Sequence, residues 1–184
     1  VIGTMGQSSK DIYLVENKED VNKLPIPKDQ EIAYVTQTTL SVDDTKEIID
    51  EIKTLYKNYL EPKKKDICYA TTNRQEAVKN IAKNCDYFFV LGSKNSSNSI
   101  RLVEVAKNYG SKNSILVDDI ENLDLSKIEN NSKIGITASA SSPEILVKKI
   151  LQKIEESFEL NIIESKYQRE DTHFKIPQKL KEAV

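Results

Sequence analysis

One histidine, two cysteines and no tryptophan occur in 184 residues. The single histidine, His173 near the C-terminus, excludes a site built from several histidine ligands within this chain. Two cysteines, Cys68 and Cys85, cannot make a secreted disulfide scaffold, so a reducing compartment is expected. Arginine is also scarce: of 27 basic residues only Arg74, Arg101 and Arg169 are arginines. Lys, Asn and Ile abound instead, the codon bias of an AT-rich genome. A net charge of −2 provides no large basic field for duplex nucleic acid. No apolar run approaches the length of a bilayer span, and no charged-then-apolar signal segment opens the chain. No loop carries a G-x-x-x-x-G-K-[ST] or G-x-G-x-x-G sequence, which leaves little support for a nucleotide-specific site. The opening residues, VIGT, include neither an initiator Met nor a helix cap, and they read as the continuation of something longer.

The length suits one compact domain or two small ones, and a hydrophobic content of 38% with 30% charged residues is compatible with a folded α/β chain. Its centre is the stretch YFFVLGSKNSSNSIRLVEVAKNY, residues 87–109. YFFVL is a short run of aromatic and branched residues, as in a buried strand. Residues 92–99 are almost wholly Ser, Asn, Gly and Lys. Leu102, Val103, Val105, Ala106 and Tyr109 then follow at helical spacing, and Gly110 supplies a stop. A strand thus delivers the chain into a hydroxyl- and amide-rich loop that opens a helix. The first turn of a helix presents free N–H groups and a partial positive charge. Ser96, Ser97, Asn98 and Ser99 around it make an anion cradle or, in the plainer view, ordinary caps.

The same order recurs along the chain. Apolar runs at 12–15, 31–36 (EIAYVT), 67–70 (ICYA), 114–117 (SILV) and 133–137 (KIGIT) read as strands, and NII at 161–163 as strand-like. Asn17 to Asp20 resembles a capping box opening a short helix that Pro25 and Pro27 end. Ser41 with Asp43 and Asp44 caps a helix whose buried stripe is Val42, Ile48, Ile49, Ile52, Leu55 and Tyr56. EPKKK at 61–65 reads as a solvated hinge. Thr71 to Asn73, before Arg74-Gln75-Glu76, reads as a cap with its box partner, and 120–132 as a short helix plus loop. Pro143 takes the first position of a last helix with Ile145, Leu146, Ile150, Leu151, Ile154 and Phe158 on its apolar face. Strand, Ser/Thr/Asn loop and helix therefore repeat four times, with loops at 36–41, 68–73, 92–98 and 137–142. Alternating elements with short connections predict right-handed crossovers and a parallel sheet. In such sheets these loops share the ligand-binding edge. Neutral donors backed by helix N-termini suit a phosphate or diphosphate.

Cys68 stands before a helix, where a thiol is a better ligand or nucleophile, although a core role is equally open. No base is evident near it. Cys85, just ahead of YFFVL, reads as a small core residue.

Five runs are more distinctive: GTMGQ at 3–7, TQTTLSVDDT at 36–45, DICYATTNRQEAV at 66–78, GSKNSSNS at 92–99 and TASASSPEILV at 137–147. Together they resemble the LytB/IspH family of 4-hydroxy-3-methylbut-2-enyl diphosphate reductases over nearly the whole chain and in the same order. The resemblance implies an oxygen-sensitive [4Fe–4S] enzyme that removes an allylic hydroxyl with two electrons and protons, giving isopentenyl and dimethylallyl diphosphate, the last step of the non-mevalonate isoprenoid pathway. It implies three similar α/β domains around a central cluster held by three cysteines. By similarity Cys68 is one cluster ligand and Thr38 lines the reacting end of the substrate as a catalytic residue. Ser96, Ser97, Asn98 and Ser141 hold the diphosphate. The electron donor implied is a ferredoxin or flavodoxin, in bacterial cytoplasm or a plastid- or apicoplast-type organelle.

The family's other two cluster cysteines, its substrate-facing histidines and its acidic proton donor would all precede Val1, and Cys85 lies outside any cluster motif. The chain is therefore expected to be the C-terminal portion of such an enzyme. Residues 1–62 would be the remainder of the second domain, 63–165 the third, and 166–184 a tail. Two other classes compete. A phosphosugar-binding module of the sugar-isomerase type explains the loops but gives Cys68 no role. A scaffold or interaction domain explains the caps alone.

Overall fold

The computed structural model describes residues 2–8, 11–62 and 66–164. His173, the tail at 166–184 and residues 63–65 of the charged hinge lie outside the described residues. In chain order the elements are α1 (Ile2–Met5), α2 (Lys18–Asn22), β1 (Ile32–Ala33), α3 (Val42–Leu55), β2 (Tyr59–Leu60), α4 (Tyr69–Ala82), β3 (Tyr87–Leu91), α5 (Ser97–Asn108), β4 (Asn113–Val117), β5 (Ile134–Ala138) and α6 (Ile145–Glu155).

The run YFFVL is β3, the middle strand of a parallel sheet ordered β4-β3-β5. Successive side chains on a strand point to opposite faces, and here both faces are covered. Phe88 and Val90 pack with Val78, Ala82, Leu102, Val105 and Ala106 from α4 and α5. Phe89 and Leu91 pack with Val117, Ile120, Ile128, Ile150 and Ile154, the last two on α6. A strand buried on both sides has no polar alternation, which is why its sequence is continuously apolar. Gly110 ends α5 with φ +117, a left-handed conformation that glycine adopts without a Cβ clash. Cys85 packs against the α4/α5 side of this core, and burial, with Asp86 next, pushes its thiol pKa up.

A smaller unit precedes the sheet. β1 and β2 pair in parallel, α2 packs on α3, and Val21, Ile52 and Tyr56 form the core. Asn17 caps α2 by accepting the Asp20 N–H at 2.9 Å, while the Asp20 carboxylate accepts the Glu16 N–H.

Several expected elements differ. Residues 12–15 form no strand; Ile12, Tyr13 and Leu14 are exposed, and no described residue supplies the ladder partner that an isolated extended run requires. EIAYVT contracts to the two residues of β1, and its partner β2 had no recognised signal. ICYA at 67–70 is not a strand: α4 starts at Tyr69 with Cys68 as its N-cap, so 69–73 is helix rather than loop and Arg74-Gln75-Glu76 lies well inside it. The buried positions of α4, Thr71, Gln75, Val78 and Ala82, follow the 3.6-residue period from its first turn. Two of them are polar, so an apolar stripe does not reveal them. Residues 120–132 contain turns and no helix, and 161–163 are not extended into a sheet. α6 starts at Ile145, two residues after Pro143, within the usual latitude of helix ends.

Candidate functional site

β3, β4 and β5 end level, with Leu91 opposite both Val117 and Ala138. The loops that follow β3 and β5 therefore leave the sheet side by side. They are joined through one atom. The Leu91 carbonyl accepts the Ser139 N–H at 2.9 Å and the Ser142 hydroxyl at 3.0 Å, and the hydroxyls of Ser139 and Ser142 are 2.8 Å apart. Ser141, between them, is exposed at the loop tip.

On the β3 side, Ser96 is the N-cap of α5, its hydroxyl accepting the Ser99 N–H at 3.3 Å. The first intrahelical bond runs from the Ile100 N–H to Ser96 O, so the N–H groups of Ser97 and Asn98 belong to the open first turn. Ser97 is exposed. Asn98 is 7% exposed, yet neither its amide oxygen nor its amide nitrogen has a partner. A buried amide without partners forgoes about 1–3 kcal/mol, and it stands at the positive end of a 12-residue helix. Gly92 makes room for this arrangement. A Cβ there would overlap the Ser99 hydroxyl outright and lie 2.9 Å from Ser99 Cβ and 3.1 Å from Ser139 Oγ.

Cys68 and Thr38, expected from different loops, meet in the structure: the Cys68 N–H donates to Thr38 O at 3.2 Å. Cys68 occupies the N-cap of α4 but makes no side-chain cap bond, and its thiol is free and exposed. That fits a single ligand position facing outward from a helix start. Among the described residues no group of three or more His, Cys, Asp or Glu could hold a metal ion.

The two groups are tied together by residues that sequence reasoning did not single out for this purpose. Arg74, on the second turn of α4, donates from Nε to Ala138 O at 3.2 Å, linking the Cys68 helix to the end of β5. The Asp66 carboxylate accepts the Thr36 N–H at 2.7 Å. Gln75, fully buried, accepts the Val42 N–H at 3.0 Å and donates to Leu40 O at 2.8 Å. A cleft of about 930 Å³ also opens along residues 11–16, β1 and α3. Its lining takes Thr36, Gln37, Leu40 and Ser41 from the 36–41 loop but not Thr38, Cys68, Asn98 or Ser141.

The seam between the smaller unit and the sheet is polar. Lys79 bonds Asp43 and Glu76, each at 2.8 Å, Tyr109 donates to Asp43 at 2.6 Å, and Arg101 faces Asp44 at 3.4 Å. The bond from Lys79, then that from Tyr109, holds the Asp43 carboxyl below its ordinary pKa. Burial alone would lower Lys79, but Asp43 and Glu76 outweigh it and raise the ammonium. The depressed carboxyl means that the unfolded chain binds this proton more tightly. The contribution is full above about pH 4, the ordinary Asp value, and is lost as pH falls through the folded value. The raised ammonium contributes below the ordinary lysine range and is lost as pH rises through its folded value. Thermal unfolding from pH 7 down to about 2.5 should show the midpoint falling below about pH 4, with a shallower fall in Asp43→Asn. Identical curves for the two proteins would remove Asp43 from the account.

Comparison with known proteins bears on the same residues. The family model described as "LytB protein" matches residues 1–155, which include all the loops described above. The 4-hydroxy-3-methylbut-2-enyl diphosphate reductase of Histophilus somni is 46% identical over 98% of this chain and 58% of its own length. That of Actinobacillus succinogenes is 45% identical with the same coverage. The solved structure of the E-1-hydroxy-2-methyl-but-2-enyl-4-diphosphate reductase from Plasmodium falciparum superposes with a TM-score of 0.77 at 32% identity, covering 91% of this chain and 55% of that one. The chain thus spans a little over half the length of the relatives it matches. Sequence over most of its length and the arrangement of its strands and helices agree, and on both the chain belongs to the LytB family.

Proposed function

We propose that the chain is part of a longer iron–sulfur reductase that converts 4-hydroxy-3-methylbut-2-enyl diphosphate to isopentenyl and dimethylallyl diphosphate, and that it supplies the diphosphate clamp and one face of the reaction centre. The observation that carries this is Asn98: a buried amide with both polar atoms unpartnered, at the N-terminus of α5, beside the Ser139–Ser142 loop. A diphosphate accepts from the Asn98 amide NH2 and from the open N–H groups of Ser97 and Asn98 at once. Ser96 and Ser97, with Ser141 from the facing loop, add hydroxyl donors. Each hydrogen bond to a charged group is worth about 1.5–3 kcal/mol, so neutral donors suffice for a dianion.

Residues 1–62 correspond in this proposal to the rest of a second α/β domain, 63–165 to the third and 166–184 to a tail. The two separate parallel sheets, β1-β2 and β4-β3-β5, support that division. Cys68 serves as one ligand of a [4Fe–4S] cluster whose remaining ligands lie outside this chain. When bound, such a cluster supplies electrons and a Lewis-acidic iron. Thr38, held beside Cys68 through its carbonyl, presents its hydroxyl to the substrate alcohol and relays a proton. Gripping the diphosphate at α5 fixes the alcohol end, so binding at one end positions chemistry at the other. The electron donor is a ferredoxin or flavodoxin, and the compartment is reducing, bacterial cytoplasm or a plastid-type organelle. No helix among the described residues is long and apolar enough to cross a membrane. The exposed, uncapped thiol of Cys68 favours this reductase over a phosphosugar-binding module, which has no use for it.

The test is iron and acid-labile sulfide per chain in the full-length protein, purified anaerobically, followed by reductase turnover. About three to four of each per chain with turnover is expected; none of either would overturn the proposal. In the same protein Ser96→Ala and Asn98→Ala should raise KM by about tenfold each, the loss of one charge-assisted hydrogen bond, with kcat little changed. An unchanged KM in both would remove α5 from the clamp.

A further inference from the structure

We propose that Gln75 is a positioning residue: its buried amide clips the loop carrying Thr38 onto the first two turns of α4 and thereby sets Thr38 against Cys68. The inference rests on the reductase reading for its catalytic consequence only.

Three ties run in step along the two segments. The Thr36 N–H meets Asp66, Thr38 O meets the Cys68 N–H, and Leu40 O with the Val42 N–H meets Gln75. Seven residue steps along the helix take Cys68 to Gln75, about 10 Å of rise. The loop therefore lies along the helix and is fixed at both ends of that span. Gln75 binds Leu40 and Val42 as a neighbouring strand would, one acceptor and one donor to residues two apart. Its partners also settle the orientation of the amide, because only oxygen can receive the Val42 N–H and only nitrogen can donate to Leu40 O. Val42 is the first residue of α3, so its N–H is one that the helix itself cannot satisfy. Ser41, between the two bonded residues, caps the same helix through the Asp44 N–H at 3.2 Å.

Removing the amide leaves a part-buried carbonyl and a helix-end N–H without their partner and frees one end of the loop. The other end is the Thr38–Cys68 bond, at the proposed reaction centre. Gln75 reaches this centre only through the loop, so its loss should act on turnover and not on the diphosphate grip of α5. A residue that served stability alone would leave the Cys68 amide and the kcat to KM split untouched.

The experiment uses full-length holoprotein carrying Gln75→Met or Gln75→Glu. Hydrogen exchange by mass spectrometry is read on peptides covering 36–44 and 66–72, neither of which contains the substitution. In Gln75→Met, exchange in both peptides should speed by about tenfold, as expected when a buried hydrogen bond is lost. The kcat should fall by about tenfold or more with KM within about twofold, the signature of misplacement rather than weaker binding. In Gln75→Glu the carboxylate accepts from Val42 but cannot donate to Leu40 until protonated, so its kcat relative to wild type should rise as pH falls. Unchanged exchange at 66–72, an unchanged kcat, or a flat pH ratio would each overturn the proposal. If Gln75→Met does not fold, the pH ratio of Gln75→Glu decides. If wild-type protein has no reductase turnover, the reductase reading fails by itself, and exchange at 66–72 still decides whether Gln75 holds the loop.

Discussion

Cys68→Ser in the full-length protein should abolish the visible absorbance of the proposed cluster and lower turnover by more than about a hundredfold, since even outer-shell partners of metal ligands cost about 10–100-fold when replaced. The same substitution should leave the fold intact and strengthen it locally. Cys68 sits at the N-cap of α4 with φ −58 and ψ 138 and contributes no cap bond. Serine is among the preferred residues at that position and gains a bond to the first turn worth about 1 kcal/mol against a non-capping side chain. In cluster-free protein the thermal midpoint of Cys68→Ser should therefore equal or exceed that of wild type; only with cluster present should wild type be the more stable. Unchanged absorbance in the variant would remove Cys68 from the ligand set. A large drop in stability of the cluster-free variant would instead make Cys68 a structural residue. The position reads as one where a helix does without a cap so that a sulfur can face outward.

Gly92→Ala should be nearly as damaging, by a different route. The demand at Gly92 is for space. An added methyl meets Ser99 Oγ and Cβ and, at 3.1 Å, Ser139 Oγ. A serine hydroxyl can rotate away, but Ser99 Cβ at 2.9 Å cannot move without the helix that carries it. The start of α5 must shift, and Ser96, Ser97 and Asn98 shift with it. Overpacking of this kind costs about 1–3 kcal/mol in stability, and KM should rise by about tenfold or more as the proposed clamp loses its charge-assisted bonds. Ser99→Ala, in the Gly92→Ala background, removes the hydroxyl clash alone and should recover part of both effects. Ser99→Gly removes both clashes and should recover more KM, less about 1 kcal/mol of stability for glycine in a helix. A Gly92→Ala protein with lowered stability and wild-type KM would separate packing from binding and overturn the link.

What the sequence disclosed follows from how each element is stabilised. β3 is read directly because burial on both faces makes its run continuously apolar. α5 is read from its Ser96 cap, its apolar stripe and Gly110. The strand-to-helix connections expected at 92–98 and 137–142 are found at 92–96 and 139–144, each bound within two residues, because turn and cap chemistry is local. The start of α4 escapes an apolar pattern because half of its inward face is Thr71 and Gln75, and Gln75 is held by hydrogen bonds to another segment. Hydropathy cannot see such partners. For the same reason Arg74-Gln75-Glu76 reads as cap chemistry, although Ala138, bonded by Arg74, and Leu40 and Val42, bonded by Gln75, lie 64, 35 and 33 residues away. β2 and the run at 12–15 fail in opposite senses: YL is too short to signal a strand, and IYLV signals one without a neighbour to pair with. The meeting of Thr38 and Cys68 is a main-chain bond between distant segments and leaves no mark in composition.

The two loops of the proposed site are anchored in unlike ways, and they differ accordingly in their exposure to mutation. The Ser139–Ser142 loop hangs from the carbonyl of Leu91, an atom that every amino acid brings to that position. Any apolar residue that fills the core at 91 inherits the anchor unchanged. The Thr38 loop hangs from the side chain of Gln75, whose donor and acceptor a single nucleotide change can remove. In a library of random variants screened for turnover, position 91 should therefore tolerate several apolar substitutions while position 75 stays nearly invariant, though both are fully buried. Half of this proposed site is written into the backbone and half into one codon.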